Sequence, residues 1–354
     1  MKRIILLFVL ILLAVTTTRA SELRGVWTAH SDSADSVDMR LSREHNQHEE
    51  TMQLSAFAGL TDAQIGSLSE VPVHFHLERE AGNVAFEGSF KMRDGVGHFV
   101  FTPNTSYLAA LRGLGVSTED LDSGTRGTDE TLFELALLDV STNYIRSMQA
   151  EGYHETARKY MEMRIFHVTP ELVRDLRGLG YRDIPAQKLI EMQIHRASPQ
   201  FIRDLAAVGY HDIAISELVN FRIHRVTPEA IREYRALGYD HPSPDELVTM
   251  AIHRVTPEFI RQLKDAGYPG VPIGELVNFR IHQVTPDSVR DYRSLGYDHL
   301  TPEQLVTMSI HRVTPEFIRE MKDAGYTNVP VEKLVALRIH GIDGIYVKKM
   351  QGVK

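Results

Sequence analysis

The chain has 354 residues, 43% hydrophobic and 24% charged, a composition that supports a folded core and excludes both disorder and a polytopic membrane protein. Its formal net charge is −8; residues 1–20 hold Lys2, Arg3 and Arg19 and no acid, so their removal takes it to −11. So acidic a chain does not grip a phosphate backbone without a concentrated basic face, and no nucleic-acid partner is expected. With no cysteine present, disulfides, thiolate metal sites and cysteine nucleophiles are excluded.

Lys2 and Arg3 precede an unbroken apolar stretch at 4–15, and small residues Thr18 and Ala20 follow. This pattern reads as a secretory signal over 1–20, cleaved after Ala20. Twelve apolar residues span about 18 Å as a helix, short of the roughly 30 Å hydrocarbon core. The mature protein is therefore expected in the periplasm or outside the cell, without stable membrane insertion. An uncleaved anchor is the alternative.

Over 21–103 the apolar period is two. Val37, Met39 and Leu41 alternate with polar residues, as do Val73, Phe75 and Leu77, and then Val84, Phe86 and Phe90; Phe99 and Phe101 follow. That is a half-buried antiparallel pattern, which predicts at least five strands in a small sandwich or barrel. Gly82-Asn83 and Asp94-Gly95 are placed as hairpin turns. Gly25-Val26-Trp27 resembles the opening of lipocalin-like barrels, although the segment is too short for one. Trp27, the only tryptophan, reads as a core plug.

The remainder is a tandem repeat. His195, His224, His253, His282, His311 and His340 follow one another at 29 residues, with His167 preceding by 28. Pro170, Pro199, Pro228, Pro257, Pro286 and Pro315 keep the same step, and Gly-Tyr recurs seven times. Periods of this size mean stacked supersecondary units. A step of 58 is superimposed, since VTMAIHRVTPEFIR at 248–261 returns as VTMSIHRVTPEFIR at 306–319.

Each unit encodes two short helices. Thr256 caps, Pro257 suits the first helical position, Phe259, Ile260 and Leu263 form one face, and Gly267 stops the helix in the left-handed region with Tyr268 packing back. The second helix opens with the capping box Ser243-Pro244-Asp245-Glu246 and carries Leu247, Val248, Ala251 and Ile252 on its inner face. Helices this short must stack on their neighbours, which predicts an α-solenoid of 29-residue helix-turn-helix repeats over 131–354, ending in a cap. Residues 104–130 are assigned to a divergent first unit and a linker. The whole is α+β in two domains.

The pattern VTPEFIR, then AGY, then LVxxxIH resembles helical repeats of exported bacterial proteins. Similar repeats follow the membrane metallopeptidase of β-lactam-sensor-type antirepressor proteins. Arg79-Glu80-Ala81-Gly82, Phe86-Glu87-Gly88 and Gly97-His98-Phe99 look like the β segment preceding such repeats. The resemblance covers most of the mature chain and implies a sensing or docking module. It implies no peptidase activity, because the His-Glu-x-x-His motif is missing.

Three side-chain sets carry candidate chemistry. One histidine per unit places equivalents about 8–10 Å apart, too far to share a zinc ion, so each is expected to satisfy carbonyls at its helix end or pack in the joint. His74 and His76 lie on one strand face, where His98 or a nearby acid would complete a metal site; the alternative is a solvated sheet face. His45-Asn46-Gln47-His48-Glu49-Glu50 is a similar fragment, read as a polar loop. Arg174, Arg203, Arg232, Arg261, Arg290 and Arg319 form a ladder that would hold carboxylates of a peptide or glycan. Most face an acid three residues earlier, but Gln200 leaves Arg203 the copy freest to engage a partner.

No catalytic signature or cofactor motif is present. The expected function is that of an exported, non-enzymatic binding or scaffold protein with a protein or peptide partner. The alternative is a small-ligand or metal-binding envelope sensor centred on the β domain.

Overall fold

A computed structural model describes residues 22–43, 46–121 and 127–352. The expected signal at 1–20 lies outside the described residues. The chain is α+β: an antiparallel sheet of six strands, then seventeen helices in tandem. It divides into two compact units at Arg174/Asp175, so the sheet shares its unit with the first helices of the series.

The strands are β1 (Leu23–His30), β2 (Ser36–Arg43), β3 (Asn46–Gln53), β4 (Val71–Arg79), β5 (Gly82–Lys91) and β6 (Asp94–Pro103), in the order β3-β2-β1-β6-β5-β4. They form one open sheet with β3 and β4 at its edges, rather than the two stacked sheets or closed barrel expected. The physical reason is the cover. Phe57, Leu60 and Ile65 are buried, and Phe133 of helix α3 (Thr128–Leu137) stacks on Phe99 at 5.4 Å, so a loop and a helix take the place of a second sheet. Alternate residues Met39, Phe75, Phe86 and Phe101 fill this buried face, as the period of two requires.

Trp27 is fully buried and its Nε1 donates to the carbonyls of Glu87 and His98, at 3.3 and 3.1 Å. Gly88 and Gly97 pair directly beside it. A Cβ on Gly97 would lie 2.0 Å from the Glu87 carbonyl and 2.7 Å from the indole nitrogen, so only glycine fits. The hairpin turns sit earlier than the glycines suggested. Glu80-Ala81 joins β4 to β5, and Met92-Arg93 joins β5 to β6 with positive φ at both residues, the signature of a type I′ turn. Arg93 holds that turn in place, donating to Ser31 Oγ, the Ser33 carbonyl and Asp62. Residues 46–50 of the polar fragment, expected as a loop, belong to edge strand β3.

The helices alternate in two series. The A series is α2 (Ser106–Gly113), α4 (Thr142–Ala150), α6 (Pro170–Gly178), α8 (Pro199–Ala206), α10 (Pro228–Ala236), α12 (Pro257–Asp265), α14 (Pro286–Ser294), α16 (Pro315–Asp323) and α18 (Gly344–Gln351). The B series is α3, α5 (Ala157–Ile165), α7 (Ala186–Ile194), α9 (Ile215–Ile223), α11 (Pro244–Ile252), α13 (Ile273–Ile281), α15 (Pro302–Ile310) and α17 (Val331–Ile339). A short four-residue helix, α1 (Asp62–Ile65), belongs to the sheet's cover. Helix α3 begins inside the stretch assigned to a linker, and α2 with α3 makes the divergent first unit. Its glycine is Gly115 at φ +76, and Val116 N–H bonds the Leu111 carbonyl at 3.1 Å.

Every A helix from α4 to α16 ends as its sequence dictates. The glycines of the seven Gly-Tyr pairs, from Gly152 to Gly325, take φ between +91 and +98. In α12, Gly267 N–H bonds the Lys264 carbonyl at 3.0 Å and Tyr268 N–H bonds that of Leu263 at 2.9 Å, a complete Schellman motif. Within the second unit A helices pack on A helices and B on B. In this unit the tyrosine after each of five glycines, from Gly180 to Gly296, then reaches across to the next repeat. Tyr181, Tyr210, Tyr239, Tyr268 and Tyr297 donate their hydroxyls to the carbonyls of Ile213, Pro242, Val271, Leu300 and Val329, at 2.5–2.7 Å. A buried phenol needs such an acceptor, so each tyrosine fastens one loop to the next.

The 58-residue step has a structural meaning. Arg222, Arg280 and Arg338 lie over the rings of Phe201, Phe259 and Phe317, at 4.8–5.0 Å. In the intervening units Tyr234 and Tyr292 are buried, which pushes their hydroxyl pKa up to about 12, and they donate to the Val255 and Val313 carbonyls. Two kinds of joint therefore alternate.

Candidate functional site

The ladder from Arg174 to Arg319 lies on the A helices, and apart from Arg203 its charge is neutralised within the fold. Arg232 pairs with Glu229 at 3.2 Å and Arg290 with Asp287. Arg174, Arg261 and Arg319 each meet two acids: Glu171 and Glu151, Glu258 and Glu233, Glu316 and Asp291. The second acid of each pair comes from the preceding A helix or, for Glu151, from its C-cap, a feature the sequence reading lacked. Arg203 is exposed and forms no ion pair among the described residues, while Gln200 bonds Asp204.

The histidine row sits at the ends of the B helices. His195, His224, His253, His282, His311 and His340 are the C-cap residues of α7, α9, α11, α13, α15 and α17. Their rings form no hydrogen bond among the described residues, so of the two expectations, satisfying carbonyls or packing in the joint, the first is corrected. It is their own main-chain carbonyls that are bonded: Arg222 donates to that of His195 at 3.3 Å, Arg280 to that of His253 at 3.2 Å, and Ser309 to that of His282. His167 is not an equivalent residue. Phe166 occupies the cap position, and His167 takes φ +53 one place later, which accounts for the step of 28.

That following position is the informative one. Arg196, Arg225, Arg254, Gln283 and Arg312 stand there with φ between +55 and +59, the left-handed region that side chains rarely adopt. From α7 to α15 the B helices thus end in the same motif as the A helices, but without glycine; the next, α17, ends at a glycine, Gly341 with φ +66. Val255 N–H, for example, bonds the Met250 carbonyl at 2.8 Å. These four arginines are exposed and make no ion pair among the described residues.

The residue before each histidine is also exposed. Ile194, Ile223, Ile252, Ile281, Ile310 and Ile339 are 46–60% accessible, so Ile252 does not belong to the inner face assigned to it. Leu247 and Met250 fill that face instead. The second unit therefore presents, at every B-helix end, an exposed isoleucine, a histidine that is half-exposed in all but His340, and, in four repeats, an arginine with no ion pair among the described residues. Neighbouring ends are tied together by the Arg222–His195 and Arg280–His253 bonds, which sets these triplets in register along one edge. The signal was in the sequence as the repeated Ile-His-Arg. It went unread because helical spacing placed the isoleucine with the core.

The sheet's other face is polar and exposed. His98 Nε2 lies 3.0 Å from Glu87 and His74 Nδ1 3.8 Å, one on each carboxylate oxygen, while His76 pairs across the strands with Ala85 and joins neither. The three histidines do not converge. Among the described residues no group of three or more potential metal ligands is assembled, and no helix is long and apolar enough to cross a membrane. His48 on β3 is partly buried, and that burial lowers its pKa; burial raises that of its neighbour Glu50.

No protein-family model, curated protein or solved structure matches this chain.

Proposed function

We propose that this chain is an exported, non-enzymatic binding or scaffold protein whose helical repeats supply the interaction surface and whose sheet is a second module. The observation that carries this reading is the Ile-His-Arg edge. Burying the exposed half of an isoleucine gains about 1 kcal/mol. Several units engaged together would offset the cost of association, whereas one alone would not. Repeat arrays bind in this distributed way, through equivalent positions of successive units. Export is supported by the basic and apolar pattern of 1–20.

The test is affinity capture with the full chain, beside a variant carrying Ile223→Ser, Ile252→Ser and Ile281→Ser. All three sites are exposed, so the fold should survive. A specific protein retained by the parent and lost by the variant supports the reading. Equal retention by both rejects the edge, and a small molecule co-purifying in place of a protein favours the sensor alternative.

A further inference from the structure

We infer, on the reading of the edge as the contact surface, that its occupant is an extended acidic polypeptide segment bearing aliphatic side chains. Its carboxylates would meet Arg196, Arg225, Arg254 and Arg312, and its aliphatic groups the isoleucine row. The charge argument is specific. The acids nearest Arg225, Arg254 and Arg312 in sequence, Glu229, Glu258 and Glu316, are held by Arg232, Arg261 and Arg319 on the A helices, and Glu191, nearest Arg196, is held by Lys188. The edge arginines therefore keep an uncompensated positive charge in a chain of net charge −8. Guanidinium groups in that state take carboxylates in two-point contacts.

Spacing limits the form of the occupant. Packed helices stand about 8–10 Å apart. An extended chain in the polyproline II conformation advances about 3.1 Å per residue with about three residues per turn, so it passes one unit in about three residues and returns the same face to the edge. A helix advances about 1.5 Å per residue and needs roughly six, which does not keep one helical face on the edge. A carboxylate and an aliphatic group once every three residues fits the repeat. Gln283 interrupts the row in the fourth unit, so the occupant needs no carboxylate there.

The test uses the full chain and three labelled peptides, repeated Glu-Glu-Leu, Lys-Lys-Leu and Glu-Glu-Ser, followed by fluorescence anisotropy. The Glu-Glu-Leu peptide should bind, weaken as salt rises, and bind more tightly than either of the others. Arg254→Gln should weaken it by about fivefold, and Gln283→Arg, which completes the row, should tighten it by about threefold. The second variant gains affinity, so misfolding cannot mimic its result. Equal binding of the acidic and basic peptides, no binding at all, or indifference to both substitutions overturns the inference. Capture by phosphatidylglycerol vesicles with the peptide ignored overturns it in favour of a membrane surface. If a retained protein depends on the isoleucines while the peptides fail, the partner chemistry is wrong and the edge stands.

Discussion

The sheet and the repeat array solve the problem of close packing in opposite ways. In the sheet each contact is made once: Trp27 lies against Gly88 and Gly97, and no other residue can stand in for any of them. In the array one glycine and one tyrosine recur every 29 residues and two kinds of joint alternate, so the loss of a copy is shared among neighbours. The lesson is that a unique core fixes one geometry, whereas a repeated joint leaves a whole edge free to carry other residues. The edge used here is the end of the B helices.

The largest effect should separate the two regions outright. Gly97→Ala forces a methyl group into the Glu87 carbonyl and the indole, and should cost about 3 kcal/mol or more. Denaturation followed by the fluorescence of Trp27 reports on the sheet, and an unchanged midpoint would break the comparison. Gly267→Val should cost about 2 kcal/mol: it strains the φ of +97 and meets Arg293 Nη1 at 2.5 Å. Gly296→Val, with nothing within 4 Å, should cost only about half as much. Hydrogen exchange should place the loosening around Gly267 in the second unit, with the sheet unaffected.

Smaller effects sharpen the account of the joints. Tyr268→Phe strips a donor from the Leu300 carbonyl and should cost about 1 kcal/mol. Tyr326→Phe, whose hydroxyl has no partner among the described residues, should change thermal stability very little. Arg254→Gly should raise stability by about 0.5 kcal/mol, because glycine accepts φ +56 without strain, and should weaken binding at the edge. Stability and charge are in conflict at that position. Acid should weaken the array last and least. The Glu229 and Glu316 carboxyls lie below their ordinary value of 4.5, held first by backbone N–H groups and next by Arg232 and Thr314 respectively. A depressed carboxylate stabilises above 4.5 and loses that contribution as pH falls through its folded value. Melting temperature should therefore decline below that pH, and Glu229→Gln should flatten the decline slightly.

The repeat was legible because its punctuation is chemical. Thr-Pro opens a helix and Gly-Tyr closes one for stated backbone reasons, and both recur where the structure places them. What could not be read depends on three dimensions. Arg261 pairs with Glu233, 28 residues earlier, as well as with Glu258, and no spacing rule on one helix reaches the first. Ile252 follows the apolar period yet points outward, because Leu247 and Met250 already fill the joint. The turn at Met92-Arg93 was hidden by the glycine two residues on, since contacts from Arg93 hold a conformation its sequence does not favour.

The central claim is that the edge of Ile252, and not the ladder of Arg261, meets the partner. Site-specific photocrosslinking tests it most directly, with a benzophenone side chain placed at position 252 or 261 of the full chain in its native cells. A discrete crosslinked product from 252, repeated at 223 and 281 and missing at 261, is the predicted result. Crosslinks from 261 with none from the three isoleucine positions would contradict it.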